Sequence, residues 1–533
     1  MTAPVASVPS VLTNSIDISA IESLLDEMSL EAKVGQLFMV FFTGAEVSPH
    51  LRRMIVDYQV GGLILYSIAG NLETLPQIRQ LVAQSQSLAS IPLLVSIDQE
   101  GGPVVRLPAP ATHFPSAMMI AATGSLDWAG QMAAATALEL RALGINVNFA
   151  PVVDVNSNPA NPIIGIRSFG SDPGLVSRFG VATLQGYQQT GVIPCPKHFP
   201  GHGDTDLDSH FGLPTIHRSV AELQAMDWIP FQQTIQAGAE MIMTAHVQIP
   251  ALADKPATLS PDILQGWLRE QLGFEGVIIT DSLTMGALSE SYPPAQAAVM
   301  AFWAGCDILL FGADRGFGPE VQPLAYEHLL ELVKQGSIPL ERLDQSVRRI
   351  LALKARYGLL STETLASSPQ PPLDVIGSPA HQTLALNIAR QGITAIGDPW
   401  VPIQLAQSLL IVLPSEVSHL QQLFRTLYPQ ATLGLLAAED EGSQTQGLAT
   451  LAQTYDHVIV GLWQVARHPN QLNLINLMTN GIPTQNCLWL VMGSPYDRLY
   501  LAESSRALIL YGLTPSTLTA MGEILTSSPA FKA

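Results

Sequence analysis

Short, continuous apolar runs alternate with helical patterns along the chain before residue 315. Because these runs contain few polar positions, they do not fit strands with one face in water. They are typical of parallel strands buried on both faces. Such runs occupy residues 35–42, 60–67, 91–98, 145–154, 191–199, 240–247, 276–282 and 306–312. Eight alternations of strand and helix predict an α/β fold, a TIM-type (β/α)8 barrel.

The second part of the chain predicts a smaller domain. Residues 340–359 have apolar positions at helical spacing and predict a helix on the outside of the barrel. Residues 361–379 are rich in Ser and Pro and predict a linker. Further buried runs lie at 409–414, 431–436, 457–463, 487–493 and 507–512. These runs predict an α/β sandwich.

These patterns divide the chain into four segments. We predict an N-terminal arm over residues 1–19 and a catalytic barrel over residues 20–360. The linker over 361–379 is followed by the C-terminal sandwich domain over 380–533. A chain of 533 residues has room for this arrangement, because single cores rarely grow beyond about 300 residues.

Composition narrows the class of protein and the partners. Hydrophobic residues make up 47% of the chain and charged residues 13%, a balance that favours a well-buried globular enzyme over a disordered chain. The formal net charge of -19 repels polyanions at long range. We therefore expect neither nucleic acid nor a membrane as a partner.

The cysteines and the N-terminal segment bear on the cellular compartment. Cys195, Cys306 and Cys487 are far apart and lack metal-ligand spacing, so we expect reduced, buried thiols. The first 19 residues lack the basic and apolar regions of a secretory signal. No apolar run reaches the ~18 residues that a membrane span requires. We expect a cytoplasmic protein.

Polar residues collect at the carboxyl ends of the predicted barrel strands. A barrel places its active site at this face. Any one such residue has an alternative interpretation as a cap of the following helix, but several on one face predict an active site. They are Asp98, Asp154, Lys197, His198, His246 and Asp281.

The segment after the fifth run has two possible interpretations. In one interpretation, His198 and His202 bind a metal with His210 or an acid, but they lie on a Pro/Gly loop and not on one helix face. In the other interpretation, Asp208 orients and polarises His210, which then gives and takes a proton near neutrality. We favour the second interpretation and predict no metal.

Two acids at other strand ends add to this chemistry. Asp281 follows the seventh run, where a carboxylate is placed to act as a nucleophile or, alternatively, to cap a helix. Asp98 follows the third run and is suited to accept hydrogen bonds from sugar hydroxyls.

Five segments carry a resemblance to a known family. They read IDQEGGPVVRL, FAPVVDVNSNPANPIIGIRSFG, KHFPGHGDTDLDSH, MTAHVQIPALADKPATLSP and VIITDSLTM. The chain resembles glycoside hydrolase family 3, and within it the bacterial β-N-acetylglucosaminidases (β-hexosaminidases). The DSH tripeptide typifies that branch, whereas β-glucosidases of the family usually take their acid/base from a glutamate on the second domain.

The resemblance implies roles for eight residues. It makes Asp281 the nucleophile and His210 the acid/base, with Asp208 as the partner of His210. The positions that the resemblance assigns to sugar binding are Asp98, Arg106, Arg167, Lys197 and His198.

The resemblance also implies an activity. It indicates exo-acting, retaining hydrolysis of terminal β-linked N-acetylglucosamine by double displacement, without a cofactor. The substrate would be a small carbohydrate or a muropeptide released during peptidoglycan recycling. Pro103 departs from the family pattern, which usually has a basic residue there, and this leaves the aglycone preference open.

Three alternatives to this activity stay open. The chain could prefer β-glucosides, as other members of the family do. It could instead be a phosphorylase, because a histidine acid/base carries no negative charge to repel phosphate. A non-catalytic sugar-binding protein is disfavoured by the joint presence of Asp281, Asp208 and His210.

Overall fold

The computed structural model describes residues 17–360, 370–397, 407–439, 442–483 and 486–526. Most of the predicted N-terminal arm and the first half of the predicted linker lie outside the described residues, and the predicted domain boundaries stay a prediction. The predicted arm ends inside a helix, since Asp17 caps a helix that begins at Ile18.

Eight short parallel strands follow one another in a ring. The ladders run in the order β5-β4-β3-β2-β1-β8, and β6 pairs with β7. Parallel bridges from Phe199 to Thr244 and from Ile279 to Ile308 connect the chain at β5 to β6 and at β7 to β8. The predicted barrel is confirmed. Its strands are β1 (Phe38–Val40), β2 (Gly62–Ile64), β3 (Leu94–Ile97), β4 (Val147–Asn148), β5 (Ile193–Pro194), β6 (Met241–Met243), β7 (Val277–Ile279) and β8 (Leu309–Leu310).

Every residue of these strands is buried, as the continuous apolar runs predicted. The paired stretches are nevertheless shorter than the runs. In β5 the reason is local: Pro194 and Pro196 have no N–H to donate, so the ladder stops after two residues. The rest of each run continues into the loops at the carboxyl ends of the strands.

Helices surround the ring, as expected for a barrel of this type. Local sequence fixes their ends: Thr74 and Gln77 form a capping box, and Gly191 ends a helix in the left-handed conformation. Over residues 17–360 the α-helices are α1 (Ile18–Glu27), α2 (Leu30–Gln36), α3 (Pro49–Val56), α4 (Leu75–Leu88), α5 (Ala117–Ala122), α6 (Leu126–Ala142), α7 (Pro173–Thr190), α8 (Val220–Ala225), α9 (Trp228–Gln236), α10 (Gly286–Ser289), α11 (Pro294–Ala304), α12 (Val321–Lys334) and α13 (Leu340–Arg356).

The C-terminal part contains a second sheet, in the order β11-β10-β12-β13-β14-β9. Its strands are parallel except β9, which runs antiparallel to β14. Within β10, Ile411 and Leu413 contribute to one apolar cluster and Leu410 and Val412 to another, so both faces are covered. The predicted sandwich is confirmed. Its strands are β9 (Thr394–Ile396), β10 (Leu409–Pro414), β11 (Thr432–Leu436), β12 (His457–Leu462), β13 (Cys487–Val491) and β14 (Arg506–Ile509).

The edge strand β9 was not predicted from the sequence. It has three residues that are exposed or half-buried, so it lacks the apolar run that marked the other strands. The described helices of this part are α14 (Pro379–Gly392), α15 (Gln421–Leu427), α16 (Ser443–Ala452), α17 (Pro469–Gly481) and α18 (Pro515–Thr526).

Two further expectations can be compared with the structure. The three cysteines are free and buried, as expected. Within the described ranges, none of the helices is both long enough and apolar enough to cross a bilayer.

Helix α14 joins the two parts, and a buried carboxylate anchors its approach. Leu384 and Ile388 of α14 pack into the barrel's core cluster. Glu139 of α6 accepts hydrogen bonds from the backbone and side chain of Thr112 at 3.0 and 2.6 Å. The same carboxylate accepts from the backbone N–H of Gly377 at 3.1 Å and from Nδ1 of His381 at 2.8 Å. Glu139 therefore ties the barrel to the segment that begins α14.

Replacing Glu139 with Ala should destabilise the protein. Its donors would be left buried without an acceptor, so we expect the free energy of unfolding to fall by about 2 to 4 kcal/mol. Urea denaturation followed by tryptophan fluorescence measures this change. The control Glu73→Ala removes an exposed carboxylate and should change stability by less than about 0.5 kcal/mol. Equal midpoints for the two variants would contradict the anchoring role.

Candidate active site

A cavity of about 350 Å³ opens at the carboxyl ends of the barrel strands. It brings together seven of the eight residues that were singled out from the sequence. The eighth, Asp208, is bonded to one of them. The seven lining residues are Asp98, Arg106, Arg167, Lys197, His198, His210 and Asp281.

One side of the cavity is a network of paired charges. Lys197 Nζ lies 2.7 Å from Asp98 Oδ1 and 2.7 Å from Glu100 Oε1. Arg167 donates two hydrogen bonds of 2.9 Å to the oxygens of Glu100. Burial raises the pKa of Glu100, but Arg167 and Lys197 outweigh it and hold the pKa well below its usual range. Each of the four side chains therefore lies beside a partner of opposite charge.

Arg106 is the exception to this pairing. Its Nε is buried and has no hydrogen-bond partner among the described residues, although the side chain lines the cavity. Its backbone N–H is held at 2.8 Å by Oε1 of Gln99. Because buried polar groups are normally satisfied, an unused guanidinium donor beside a cavity marks a place for a ligand oxygen.

Behind the cavity, Asp154 organises the loop that follows β5. Its carboxylate accepts from His198 Nδ1 at 2.7 Å and from the backbone N–H of His202 at 2.7 Å. Burial raises the pKa of Asp154, but the charge and hydrogen bonds of His198 prevail and lower it. The ionised carboxylate fixes the His198 tautomer with its proton on Nδ1.

His202 in turn holds the loop that carries Asp208 and His210. Its Nδ1 lies 2.9 Å from Thr205 Oγ1, and its Nε2 lies 3.0 Å from Ser209 Oγ. Burial lowers the pKa of His202 to about 4, so this imidazole is neutral at neutral pH. Both of its nitrogens are occupied by hydroxyls. The described part of the chain contains no group of three or more His, Cys, Asp or Glu residues placed to hold a metal.

His210 is bound to Asp208 in a tight turn. One oxygen of Asp208 accepts from the His210 backbone N–H at 2.9 Å and from Nδ1 at 2.8 Å. This hydrogen bond raises the pKa of His210 above its ordinary value, against the effect of burial, and the charge of Asp281 adds to the increase. The imidazole is half exposed, and its other nitrogen has no hydrogen bond to another of the described residues.

A glycine lets the loop after β7 approach this histidine. A Cβ at Gly286 would lie 2.7 Å from the carbonyl oxygen of His210, so only glycine fits. The next residue, Ala287, donates a backbone hydrogen bond of 3.1 Å to the carbonyl of Ser209. The loop after β7, which begins with Asp281, is thus in contact with the loop that carries the acid/base candidate.

Asp281 stays ionised at the end of β7. Its Oδ1 accepts from the backbone N–H of Ser282 at 2.7 Å. Burial raises the pKa of Asp281, but His246, His198 and His210 outweigh burial and lower it. An ionised carboxylate and a histidine with a raised pKa therefore line one cavity, as a nucleophile and a proton donor require.

Ser282 fixes the backbone beside Asp281 through three bonds. Its Oγ donates to Asp314 Oδ2 at 2.5 Å and accepts from the N–H of Gly312 at 2.8 Å. Its carbonyl lies 2.8 Å from Nε2 of His246. These contacts restrict the direction in which the Asp281 carboxylate points.

Three of these site residues were not singled out as binding or catalytic residues from the sequence. Glu100 lies two residues after Asp98, and Asp314 follows the eighth run, so position at a strand end was a usable signal for both. Ser282 gave no such signal, because a serine after an apolar run is also a common helix cap.

The comparison with known families agrees with this geometry. Residues 29–353 match the model of the glycosyl hydrolase family 3 N terminal domain, which covers more than half of the chain. The chain belongs to glycosyl hydrolase family 3.

Two curated relatives extend the similarity. The chain is 36% identical to β-hexosaminidase A of Pseudoalteromonas piscicida over 393 residues, which are 69% of this chain and 64% of that protein. It is 34% identical to a β-N-acetylglucosaminidase/β-glucosidase of Cellulomonas fimi over 392 residues, 71% of this chain and 66% of that protein. The chain thus spans somewhat under two thirds of the length of these relatives.

A solved structure resembles the whole two-part architecture. The family 3 β-N-acetylglucosaminidase from Paenibacillus sp. str. FPU-7 is 34% identical to this chain and superposes with a TM-score of 0.83. The match covers 94% of this chain and 97% of that one. The roles of the individual site residues stay predictions.

The effect of Asp208 on His210 can be measured directly. Replacing Asp208 with Asn removes the charge that stabilises the imidazolium, so the pKa of His210 should fall toward or below 6.5. NMR titration of isotope-labelled histidines measures this pKa. Asp206→Asn, which alters an exposed acid in the same loop, is the matched control and should leave it unchanged. An unaltered His210 titration in Asp208→Asn would argue against the pairing.

Proposed function

We propose that this protein is a retaining exo-β-N-acetylglucosaminidase that removes terminal β-linked N-acetylglucosamine. The observation that carries the proposal is the Asp208–His210 pair, held by its loop at the same cavity as the ionised Asp281. Two carboxylates would serve a glycosidase in general. A histidine paired with an aspartate in the role of acid/base is what the resemblance associates with the N-acetylglucosaminidase branch.

The geometry supports a double displacement. In the first step, a carboxylate oxygen of Asp281 bonds to the anomeric carbon as the glycosidic C–O bond breaks, and His210 gives its proton to the leaving oxygen. In the second step, neutral His210 takes a proton from water, and the water oxygen displaces Asp281. The sugar leaves with its original configuration, and both residues return to their starting protonation states.

The charged network supplies groups that would hold the sugar. Asp98 offers carboxylate oxygens to hydroxyl donors, while Lys197 and His198 offer polar atoms to hydroxyls. Arg106 and Arg167 carry planar donor forks suited to hydroxyls or to an N-acetyl carbonyl. In this mechanism the chain's own side chains suffice, and no cofactor takes part.

The named activities of the relatives support this substrate class. Two of the relatives described above are named for hexosaminidase or N-acetylglucosaminidase activity. We extend the proposal to small saccharides and muropeptides released during peptidoglycan recycling in the cytoplasm. That extension rests on the resemblance and not on any contact in the cavity.

Two related activities have observations in their favour. The Cellulomonas fimi relative is named for β-glucosidase activity as well, so glucosides are a second candidate substrate. A phosphorylase is the other candidate, because an imidazole acid/base does not repel phosphate as a carboxylate does.

Substrate comparison decides among these activities. We expect kcat/KM for nitrophenyl β-N-acetylglucosaminide to exceed that for nitrophenyl β-glucoside by at least about tenfold, since the N-acetyl group adds contacts that glucose lacks. Assays with and without inorganic phosphate, followed by sugar-phosphate analysis, detect phosphorolysis. A faster rate on the glucoside would refute the main proposal, and a sugar phosphate as the chief product would identify a phosphorylase.

Trapping the covalent intermediate tests the nucleophile. A fluorinated N-acetylglucosaminide should label the peptide that contains Asp281, as read by mass spectrometry. Ser282→Ala removes the side-chain hydrogen bonds that fix the backbone beside Asp281, so labelling should slow by about 10- to 100-fold. Ser291→Ala, at an exposed position nearby, should label at the unaltered rate. A label on any other residue would overturn the assignment of Asp281.

A further inference from the structure

A small cavity of about 240 Å³ lies between helices on the outer face of the barrel. Its sides come from α8, from α9 and from a π-helix over Asp262–Gln271 that follows β6. It shares no lining residue with the candidate active site. The lining residues are Gln224, Trp228, Gln232, Trp267, Gln271 and Leu272.

Two tryptophans, Trp228 and Trp267, form the aromatic wall of this cavity. Their ring centroids lie 4.7 Å apart, and their planes are inclined at 44°. Trp228 also packs against Phe199, with centroids 6.4 Å apart, and only 2% of its surface is exposed. Trp267 is half-buried, so part of its ring is open to solvent. Because the wall is fixed before a ligand arrives, binding costs little side-chain entropy.

The π-helix is an unusual backbone on which to carry Trp267. Its wide turn is closed by the Leu272 N–H, which donates at 2.9 Å to the carbonyl of Trp267, five residues earlier. Such turns are rare, and they frequently lie at functional sites. The same turn brings Gln271 and Leu272 to the cavity. The irregular backbone and the aromatic wall therefore coincide at one place on the barrel surface.

Three glutamine side chains surround the aromatic wall. Gln224, Gln232 and Gln271 are exposed, and their amides have no hydrogen-bond partner among the residues that the structure describes. Each amide has an oxygen that accepts and an NH₂ group that donates. The rim of the cavity thus offers neutral donors and acceptors around an aromatic ring.

The charges around the cavity favour a neutral ligand. None of the six lining residues is charged. Arg269 of the π-helix is bound to Asp307 at 2.6 Å and does not line the cavity. The indole N–H of Trp228 is buried and has no acceptor within the described ranges. Because buried donors are normally satisfied, an unused donor in a cavity wall favours a ligand that brings an oxygen acceptor.

We propose that this cavity is a binding site for a neutral saccharide. The ring of Trp267 contacts one face of a pyranose, and the glutamine amides bind the hydroxyls at its edge. A pyranose has apolar C–H faces and a rim of neutral donors and acceptors, which match an aromatic ring flanked by amides. The inference does not depend on the proposed function, because none of the candidate catalytic residues takes part. A glycan bound here is held at the protein surface and raises its own local concentration.

The test follows Trp267 by fluorine NMR of protein labelled with fluorotryptophan. The chain has seven tryptophans, and Trp267→Phe identifies the Trp267 resonance as the one that disappears. The probes are N,N′,N″-triacetylchitotriose and cellotriose, added to Asp281→Asn protein so that the saccharides stay intact. We expect the Trp267 resonance to shift and to saturate below about 10 mM chitotriose.

Two neighbouring glutamines of α9 provide a matched pair of variants. Gln232 lines the cavity, whereas Gln233 is exposed as well but does not line it. Gln232→Ala removes a hydrogen-bonding group, so the dissociation constant read from Trp267 should rise by about three- to tenfold. Gln233→Ala should leave that constant unchanged. Because both side chains are exposed, neither variant should unfold the protein.

Each outcome supports or overturns the inference. A saturable shift with chitotriose alone identifies a site for acetamido sugars, and a shift with cellotriose as well identifies a site for neutral saccharides in general. A Trp267 resonance unmoved by both probes at about 10 mM overturns the inference, as do equal dissociation constants for Gln232→Ala and Gln233→Ala. The proposed function fails separately, if wild-type protein releases no N-acetylglucosamine from chitotriose.

Discussion

Charge that is buried at the end of an apolar barrel must be compensated, and the candidate site depends on this constraint. The side chain of Lys197 has only 2% of its surface exposed, and an unpaired ion in such a place costs several kcal/mol. Asp98 and Glu100 both contact its ammonium group, and Arg167 is a second cation that pairs with Glu100. The four side chains follow three neighbouring strands, β3, β4 and β5, so these strands must pair before the network is complete. The polar pocket and the fold therefore support each other.

The same electrostatics shifts the pKa values of the two candidate reacting groups in opposite directions. Surrounding histidines hold the pKa of Asp281 down, and the carboxylate of Asp208 raises the pKa of His210. The shift of Asp281 results from histidines on other loops, whereas that of His210 results first from Asp208 in the same turn. The neutral His202 holds Ser209 between Asp208 and His210. Sequence spacing alone indicated that Asp208 is the partner of His210. The histidines around Asp281 are distant from it in sequence, and only the folded barrel brings them close.

Sequence patterning predicted the strands inside the two sheets better than the strand at the edge of the second sheet. Runs of apolar residues identified every barrel strand, because a parallel strand buried on both faces has few polar positions. The same patterning missed β9 (Thr394–Ile396). This strand has no buried apolar run of its own and is defined by its pairing with β14. In the site, residues with a distinctive chemistry were found, whereas Ser282 was missed. Its importance comes from hydrogen bonds to Gly312 and Asp314, which are distant in sequence. Such contacts arise from topology and leave no local pattern.

The two parts of the chain contribute unequally to the candidate active site. Every residue that lines its cavity, Asp281 and His210 included, belongs to the barrel. Residues of the C-terminal part, such as Trp463, line a second cavity beside it. Loops of the C-terminal part can vary during evolution, or be exchanged by design, while the reaction centre stays intact. The architecture is modular in this sense: changes in the C-terminal part need not alter the lining of the cavity that contains Asp281 and His210.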